Sequence, residues 1–106
     1  MSTVKESFER MPARFRPEQA SSTDLVVQYD ISGEGGGTWH AVIANGTCAV
    51  NDGPAPNPTL TLRLSAADWL DMASGKRSGQ ALYLMGRLKV TGNLGLATKL
   101  GAMFAT

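Results

Sequence analysis

At 106 residues, 42% of them apolar, the chain can bury the core of one domain but not of two, so residues 1–106 are expected to form one unit. Ten basic residues against nine acidic ones leave a formal net charge of +1, which argues against a protein that binds polyanions, because nucleic-acid phosphates demand a concentrated basic surface. A single cysteine, Cys48, excludes an internal disulfide and fits a reducing compartment.

The opening stretch, MSTVKESFERM, mixes charge with apolar residues and reads as neither a signal peptide nor a membrane span. Thr3 and Glu6 have capping-box spacing, so a helix is expected from Val4, with Val4, Phe8 and Met11 on one face and Pro12 ending or kinking it. Residues 17–23 read as a polar loop. Leu25, Val27, Tyr29 and Ile31 then alternate with Val26, Gln28, Asp30 and Ser32, the period of a half-buried strand. Gly33-Glu-Gly-Gly-Gly37 predicts a flexible hairpin loop, and Thr38–Ala44 a second strand. Asn45-Gly46 predicts a two-residue turn that pairs Ala44 with Thr47, Ile43 with Cys48 and Ala41 with Val50. Carried back through the glycine loop, that register places Trp39 near Ile31 and Ile43 near Val27, all on one face.

A proline-rich connection, residues 52–58, leads to a fourth strand in which Leu60, Leu62 and Leu64 alternate with polar residues. Ser65 caps a helix over 66–74, with Asp68 at its favourable third position, Gly75 at its end and Trp69, Met72 and Ala73 inward. A short helix over 80–85 follows, then a fifth strand with Leu88 and Val90 inward. Asn93 caps a last amphipathic helix whose stripe is Leu96, Ala97, Leu100, Met103 and Phe104. The expected fold is α+β: a five-stranded, mainly antiparallel sheet, with helices covering its one apolar face.

Few side chains here could do chemistry. Parity places His40, the sole histidine, on the outer face, where a surface role is simpler than a catalytic one. Cys48 is expected inward beside Ile43, as a buried small residue rather than a nucleophile. One histidine and one cysteine cannot complete a structural zinc site. Asp68 and Asp71 lie one turn apart, and a capping and dipole role explains them more simply than acid–base work. Gly33–Gly37 has no helix after it to hold a phosphate. Lys76, Arg77, Arg87 and Lys89 form a modest basic cluster, read as a solvated face, with transient approach to an anionic membrane surface as the alternative. Met72, Met85 and Met103 sit one on each C-terminal helix, where they fill a core or adapt to a ligand.

In order and at compatible spacing, several local patterns resemble the sterol carrier protein type 2 family. They are Gly36-Gly-Thr-Trp-His-Ala-Val-Ile43 with Asn45-Gly46-Thr-Cys-Ala-Val50, Pro58-Thr-Leu-Thr-Leu62 before Ser65-Ala-Ala-Asp-Trp69, then Gly75-Lys76. Leu84-Met-Gly-Arg-Leu-Lys-Val-Thr-Gly92 and the helix carrying Lys99-Leu100 and Phe104 close the series. The resemblance runs from Phe8 to Phe104. Asn93 stands where the family usually has an acidic residue, and it remains a good cap. The C-terminal Met-Phe-Ala-Thr is not a peroxisomal address, so that localisation is not carried over, and a cytoplasmic protein is expected. The Ala- and Gly-rich style implies a bacterial member, with acyl or isoprenoid lipids more plausible than sterol.

The resemblance implies an apolar tunnel under the helices, a lipid or fatty-acyl ligand, no cofactor and no chemistry. Trp69, Met72, Leu82, Met85, Leu96, Leu100, Met103 and Phe104 are expected to line it from the helices, over a floor of Val27, Ile43 and Val50. The last helix, with Leu100 and Met103, is expected to act as a lid. Two other readings remain. One is an accessory subunit presenting an isoprenoid or quinone-type intermediate to partner enzymes. The other is a small enzyme, for which Tyr29 is the one candidate on the apolar face. The oligomeric state is left open.

Overall fold

The structure is a computed structural model, and it describes residues 3–16, 18 and 24–97. In chain order its elements are α1 (Val4–Arg14), β1 (Leu25–Ser32), β2 (Gly37–Ala44), β3 (Thr47–Asp52), β4 (Leu60–Ser65), α2 (Ala66–Ala73), α3 (Gly79–Leu84) and β5 (Lys89–Gly92). One mixed sheet runs in the order β3-β2-β1-β4-β5, antiparallel throughout except for the central β1–β4 pair. The α+β architecture expected from the alternating segments is present.

The capping box at Thr3 is complete. The Thr3 hydroxyl accepts from the Glu6 amide at 3.1 Å, and the Glu6 carboxylate accepts from the Thr3 amide at 3.2 Å. Those bonds hold the exposed Glu6 carboxyl below its usual range. Pro12 does not end α1, which continues to Arg14. Val4, Phe8 and Met11 are buried, as their spacing dictates.

Asn45 and Gly46 both have positive φ, 54° and 74°, the pattern of the tight hairpin turn whose twist matches its strands. The β2–β3 register follows: Ala44 opposite Thr47, Ile43 opposite Cys48, Ala41 opposite Val50. The β1–β2 register differs from expectation by two residues. Ile43 faces Leu25 rather than Val27, and Trp39 faces Tyr29 rather than Ile31. A shift of two preserves the face on which every side chain lies, so the apolar face is as expected. The loop closes through the Gly36 amide to the Gly33 carbonyl at 3.0 Å, which leaves Gly37 opposite Ile31.

β4 is parallel to β1, so the chain must cross from the edge strand β3 over two strands before it can start β4. The proline-rich segment makes that crossing on the outer face. Gln28 Oε1 accepts from the Ala55 amide at 3.1 Å, the Thr59 amide donates to the Val26 carbonyl at 2.9 Å, and Ala55 is buried. His40 is therefore not an unpartnered surface histidine. It is half-buried, and its Nδ1 lies 2.8 Å from the Gly53 carbonyl, so Nδ1 carries the proton and donates. His40→Ala should cost about 1 kcal/mol in urea unfolding, the usual worth of one such bond. An unchanged midpoint would show that this bond does not hold the crossing segment.

Candidate functional site

The inner face of the sheet divides between two covers. α1 lies against β3 and α2, and it inserts Phe8 into an aromatic stack. The Phe8 ring is 4.5 Å from Trp39 and 4.5 Å from Trp69, near-parallel to both, with Tyr29 edge-on at 5.1 Å. The Trp69 indole N–H donates to the Ser7 hydroxyl at 2.6 Å, and that hydroxyl donates to the Val4 carbonyl at 2.6 Å. The two buried donors on this seam, the Trp69 indole N–H and the Ser7 hydroxyl, are thereby answered, as burial requires.

Over β4 and β5 the cover is thinner. α2 starts at Ser65, whose hydroxyl accepts from the Asp68 amide at 3.1 Å. It ends in a Schellman turn: Gly75 has φ +83°, its amide donates to the Met72 carbonyl, and the Lys76 amide donates to the Asp71 carbonyl. α3 is capped by Ser78 and ends the same way, with Gly86 at φ +73° and the Arg87 amide donating to the Leu82 carbonyl. Two short helices with reversed ends leave a gap between them. Leu82 alone on α3 is fully buried, while Tyr83 and Leu84 turn outward.

That gap opens into a cavity of about 720 Å³. Its floor is the cross-strand row Tyr29, Leu62 and Val90 on β1, β4 and β5. Its walls include Met11, Trp69, Met72, Ala73, Tyr83, Leu84, Leu88, Leu94 and Ala97. The lining residues that carry polar groups are Ser7, Arg14, Tyr29, Trp69, Arg77, Ser78, Gln80 and Tyr83, with no carboxylate. Arg14 Nη1 donates to the Ala73 carbonyl at 3.1 Å, and Arg77 lies 3.5 Å from Asp71.

Of the residues expected to form a tunnel, Trp69 and Met72 line this cavity. Val27, Ile43 and Leu82 are fully buried in the core beside it, and Val50 packs against that core on β3. Met85 is exposed, and Leu96 is half-buried outside the lining. Leu100, Met103 and Phe104, and with them the proposed lid, lie outside the described residues; residues 94–97 are helical, with Asn93 Oδ1 accepting from the Gly95 amide at 2.8 Å. The floor lies towards β5 because α1 occupies the β2–β3 side, a division that strand parity does not reveal.

The candidate acid–base groups are ion-paired or buried. Asp68 and Asp71 are not a pair: Asp71 faces Arg77, and the buried Asp68 accepts two bonds from Arg87, Nε at 3.1 Å and Nη2 at 3.0 Å. A two-pronged bond of this kind fixes orientation as well as charge. Arg87→Ala should cost about 2 kcal/mol by urea unfolding, below the cost of breaking a fully buried pair because the arginine is itself half-exposed. A change under about 0.5 kcal/mol would show that solvent screens the pair as it does at a surface. Tyr29 is buried, which holds its hydroxyl above its ordinary range and so in the neutral form. Burial pushes the Cys48 thiol up to about 11, so at neutral pH it is a thiol rather than a nucleophilic thiolate. Among the described residues no group of three or more His, Cys, Asp or Glu side chains could hold a metal, and no helix is long and apolar enough to cross a membrane.

A second depression, about 650 Å³, opens at the other end of α2 among Asp30, Arg63, Asp68, Arg87 and Lys89. It is shallow, and its charges are mostly paired with one another, Asp30 with Arg63 at 3.2 Å and Asp68 with Arg87. The apolar cavity is the candidate site.

The model of the SCP-2 sterol transfer family matches residues 6–105. The chain belongs to that family. Among curated relatives, this SCP-2 domain is 29% identical over 100 residues to hydroxysteroid dehydrogenase-like protein 2 of Xenopus tropicalis, and 32% identical over 98 residues to that of Rattus norvegicus. Those matches take in 93% and 92% of the SCP-2 chain but only 24% and 19% of the relatives, so it spans about a quarter or less of their length.

Solved structures share the fold at lower identity. A sec-alkylsulfatase from Pseudomonas sp. has a TM-score of 0.85 at 15% identity, over 99% of the SCP-2 chain and 17% of its own. Palmitated SCP2L2 from Aedes aegypti has a TM-score of 0.77 at 21% identity, over 95% and 93%. The ubiquinone synthesis protein UbiJ-SCP2 has a TM-score of 0.60 at 17% identity, over 94% and 76%.

Proposed function

We propose that residues 1–106 form one lipid-binding unit that carries a fatty-acyl or similar long-chain lipid in the cavity between α2, α3 and β5, and performs no chemistry on it. The observation that carries this reading is a largely apolar cavity in a chain of the SCP-2 sterol transfer family. Its volume, about 720 Å³, falls in the usual range of small-molecule sites, about 300–1,000 Å³. The palmitated relative from Aedes aegypti supports an acyl ligand.

Apolar burial supplies the affinity. A long acyl chain at about 0.8 kcal/mol per methylene gains roughly 10 kcal/mol gross. Association and ordering costs remove much of that, leaving micromolar binding or somewhat tighter. The neutral Tyr29 and Cys48 give no base or nucleophile, which supports a carrier over a catalyst, and the single cysteine suits a cytoplasmic setting.

A second reading rests on the likeness to the ubiquinone synthesis protein: an accessory subunit that presents an isoprenoid or quinone-type intermediate to partner enzymes. Native mass spectrometry of the purified chain separates the two. A co-purifying fatty acid or acyl lipid supports the first and an isoprenoid the second. A chain that retains no lipid and takes up neither a fluorescent fatty acid nor a prenyl probe overturns both.

A further inference from the structure

The surface beside the cavity mouth is apolar where a folded domain would ordinarily be polar. Tyr83 is 42% exposed, Leu84 76%, Met85 52% and Leu94 49%. They are the large apolar side chains most open to solvent among the described residues, and Tyr83, Leu84 and Leu94 also form part of the cavity wall. Apolar groups exposed together mark a contact surface.

Charge indicates what the contact is. All nine acidic residues lie at or before Asp71, whereas Lys76, Arg77, Arg87, Lys89 and Lys99 lie after it. Residues 72–106 therefore carry five positive charges and no negative one, of which Arg77 and Arg87 pair back to Asp71 and Asp68, and the remainder of the chain is net negative. Arg14 and Arg77 sit in the cavity lining itself, and Lys76 is exposed at the end of α2. Apolar side chains for the acyl boundary, ringed by cations for the headgroups, are the two requirements for binding an anionic lipid surface. A second copy of this chain fits poorly, because it would bring two cationic segments face to face.

We propose that the turn carrying Tyr83, Leu84 and Met85, together with Leu94, docks on an anionic bilayer and holds the cavity mouth against it. The proposal rests on the lipid-carrier reading, because the mouth is where a lipid would pass between membrane and cavity. α3 is well placed for this. It is anchored by Leu82 alone on its inner side, and Arg87 just beyond it is fixed to Asp68.

The test is co-sedimentation of the full chain with vesicles of phosphatidylcholine, with and without phosphatidylglycerol, at low and raised salt. Uptake of a fluorescent fatty acid without vesicles is measured in parallel. The wild type should bind the mixed vesicles, bind neutral ones far less, and be released by salt. Met85→Asp should lose vesicle binding while keeping its thermal midpoint. Lys76→Glu should bind mixed vesicles about fivefold more weakly, or less still, with fatty-acid uptake unchanged. Wild type that ignores mixed vesicles yet takes up the fatty acid overturns the docking proposal and spares the carrier reading. That same result is expected if the chain's own residues 98–106 cover the patch. Equal binding by Met85→Asp, or a dimer in sedimentation that Met85→Asp abolishes, also overturns it. Loss of fatty-acid uptake in the wild type fails the carrier reading separately.

Discussion

Phe8→Ala should destabilise the chain by about 3–5 kcal/mol, enough to unfold much of it at ordinary temperature. Phe8 is 1% exposed and lies between two indoles at 4.5 Å on either side. Truncation removes apolar burial, two near-parallel ring contacts and the edge contact with Tyr29, and it opens a void that Trp39, Trp69 and Tyr29 cannot all collapse into. The same side chain is α1's main purchase on the sheet, so the loss should fall on the whole helix. Urea unfolding followed by circular dichroism measures it. A cost under about 1.5 kcal/mol would mean that α1 is held by Val4 and Met11 instead.

The second large effect is on binding. Met72→Trp should weaken uptake of a fluorescent fatty acid at least tenfold while leaving the midpoint of urea unfolding nearly unchanged. Met72 lies on α2, half-buried, and lines the cavity. A larger side chain there has empty space to enter, so it should occupy the ligand's volume without forcing its neighbours off their rotamers. In a dry, filled core the same change would cost about 1–3 kcal/mol. The two readouts therefore separate a ligand cavity from ordinary packing. A variant that unfolds early and binds as well as wild type would remove the cavity from consideration as the lipid site.

Much of the fold was legible before any coordinates, because local signals set it. The Thr3–Glu6 box starts α1, Asn45-Gly46 permits one tight turn, and period-two alternation assigns Leu25, Val27, Tyr29 and Ile31 to the apolar face. What failed was register across the glycine loop. Alternation fixes parity, not position, and a run of glycines can close the hairpin in several ways. Three other features depend on residues far apart in sequence. Ser7 answers Trp69, Gln28 holds Ala55, and Asp68 pairs with Arg87. Arg87 reads as an outward residue of the fifth strand, which in fact begins at Lys89, and the Schellman turn at Gly86 brings it back to α2. The position of the cavity was hidden for a similar reason: α1 sits over β3, so the open floor falls at Tyr29, Leu62 and Val90. Composition does not say which strands a helix will cover.

The chain has two tryptophans, and both rest against the same phenylalanine. Its intrinsic emission therefore comes from one location. The seating of α1 sets the spectrum of both indoles together, whereas an occupant of the cavity touches Trp69 and not Trp39. Replacing Trp39 with phenylalanine would leave a single reporter on the cavity wall, and replacing Trp69 would leave one that senses only the attachment of the first helix. Helix release and cavity filling can thus be followed as separate optical signals, without a label.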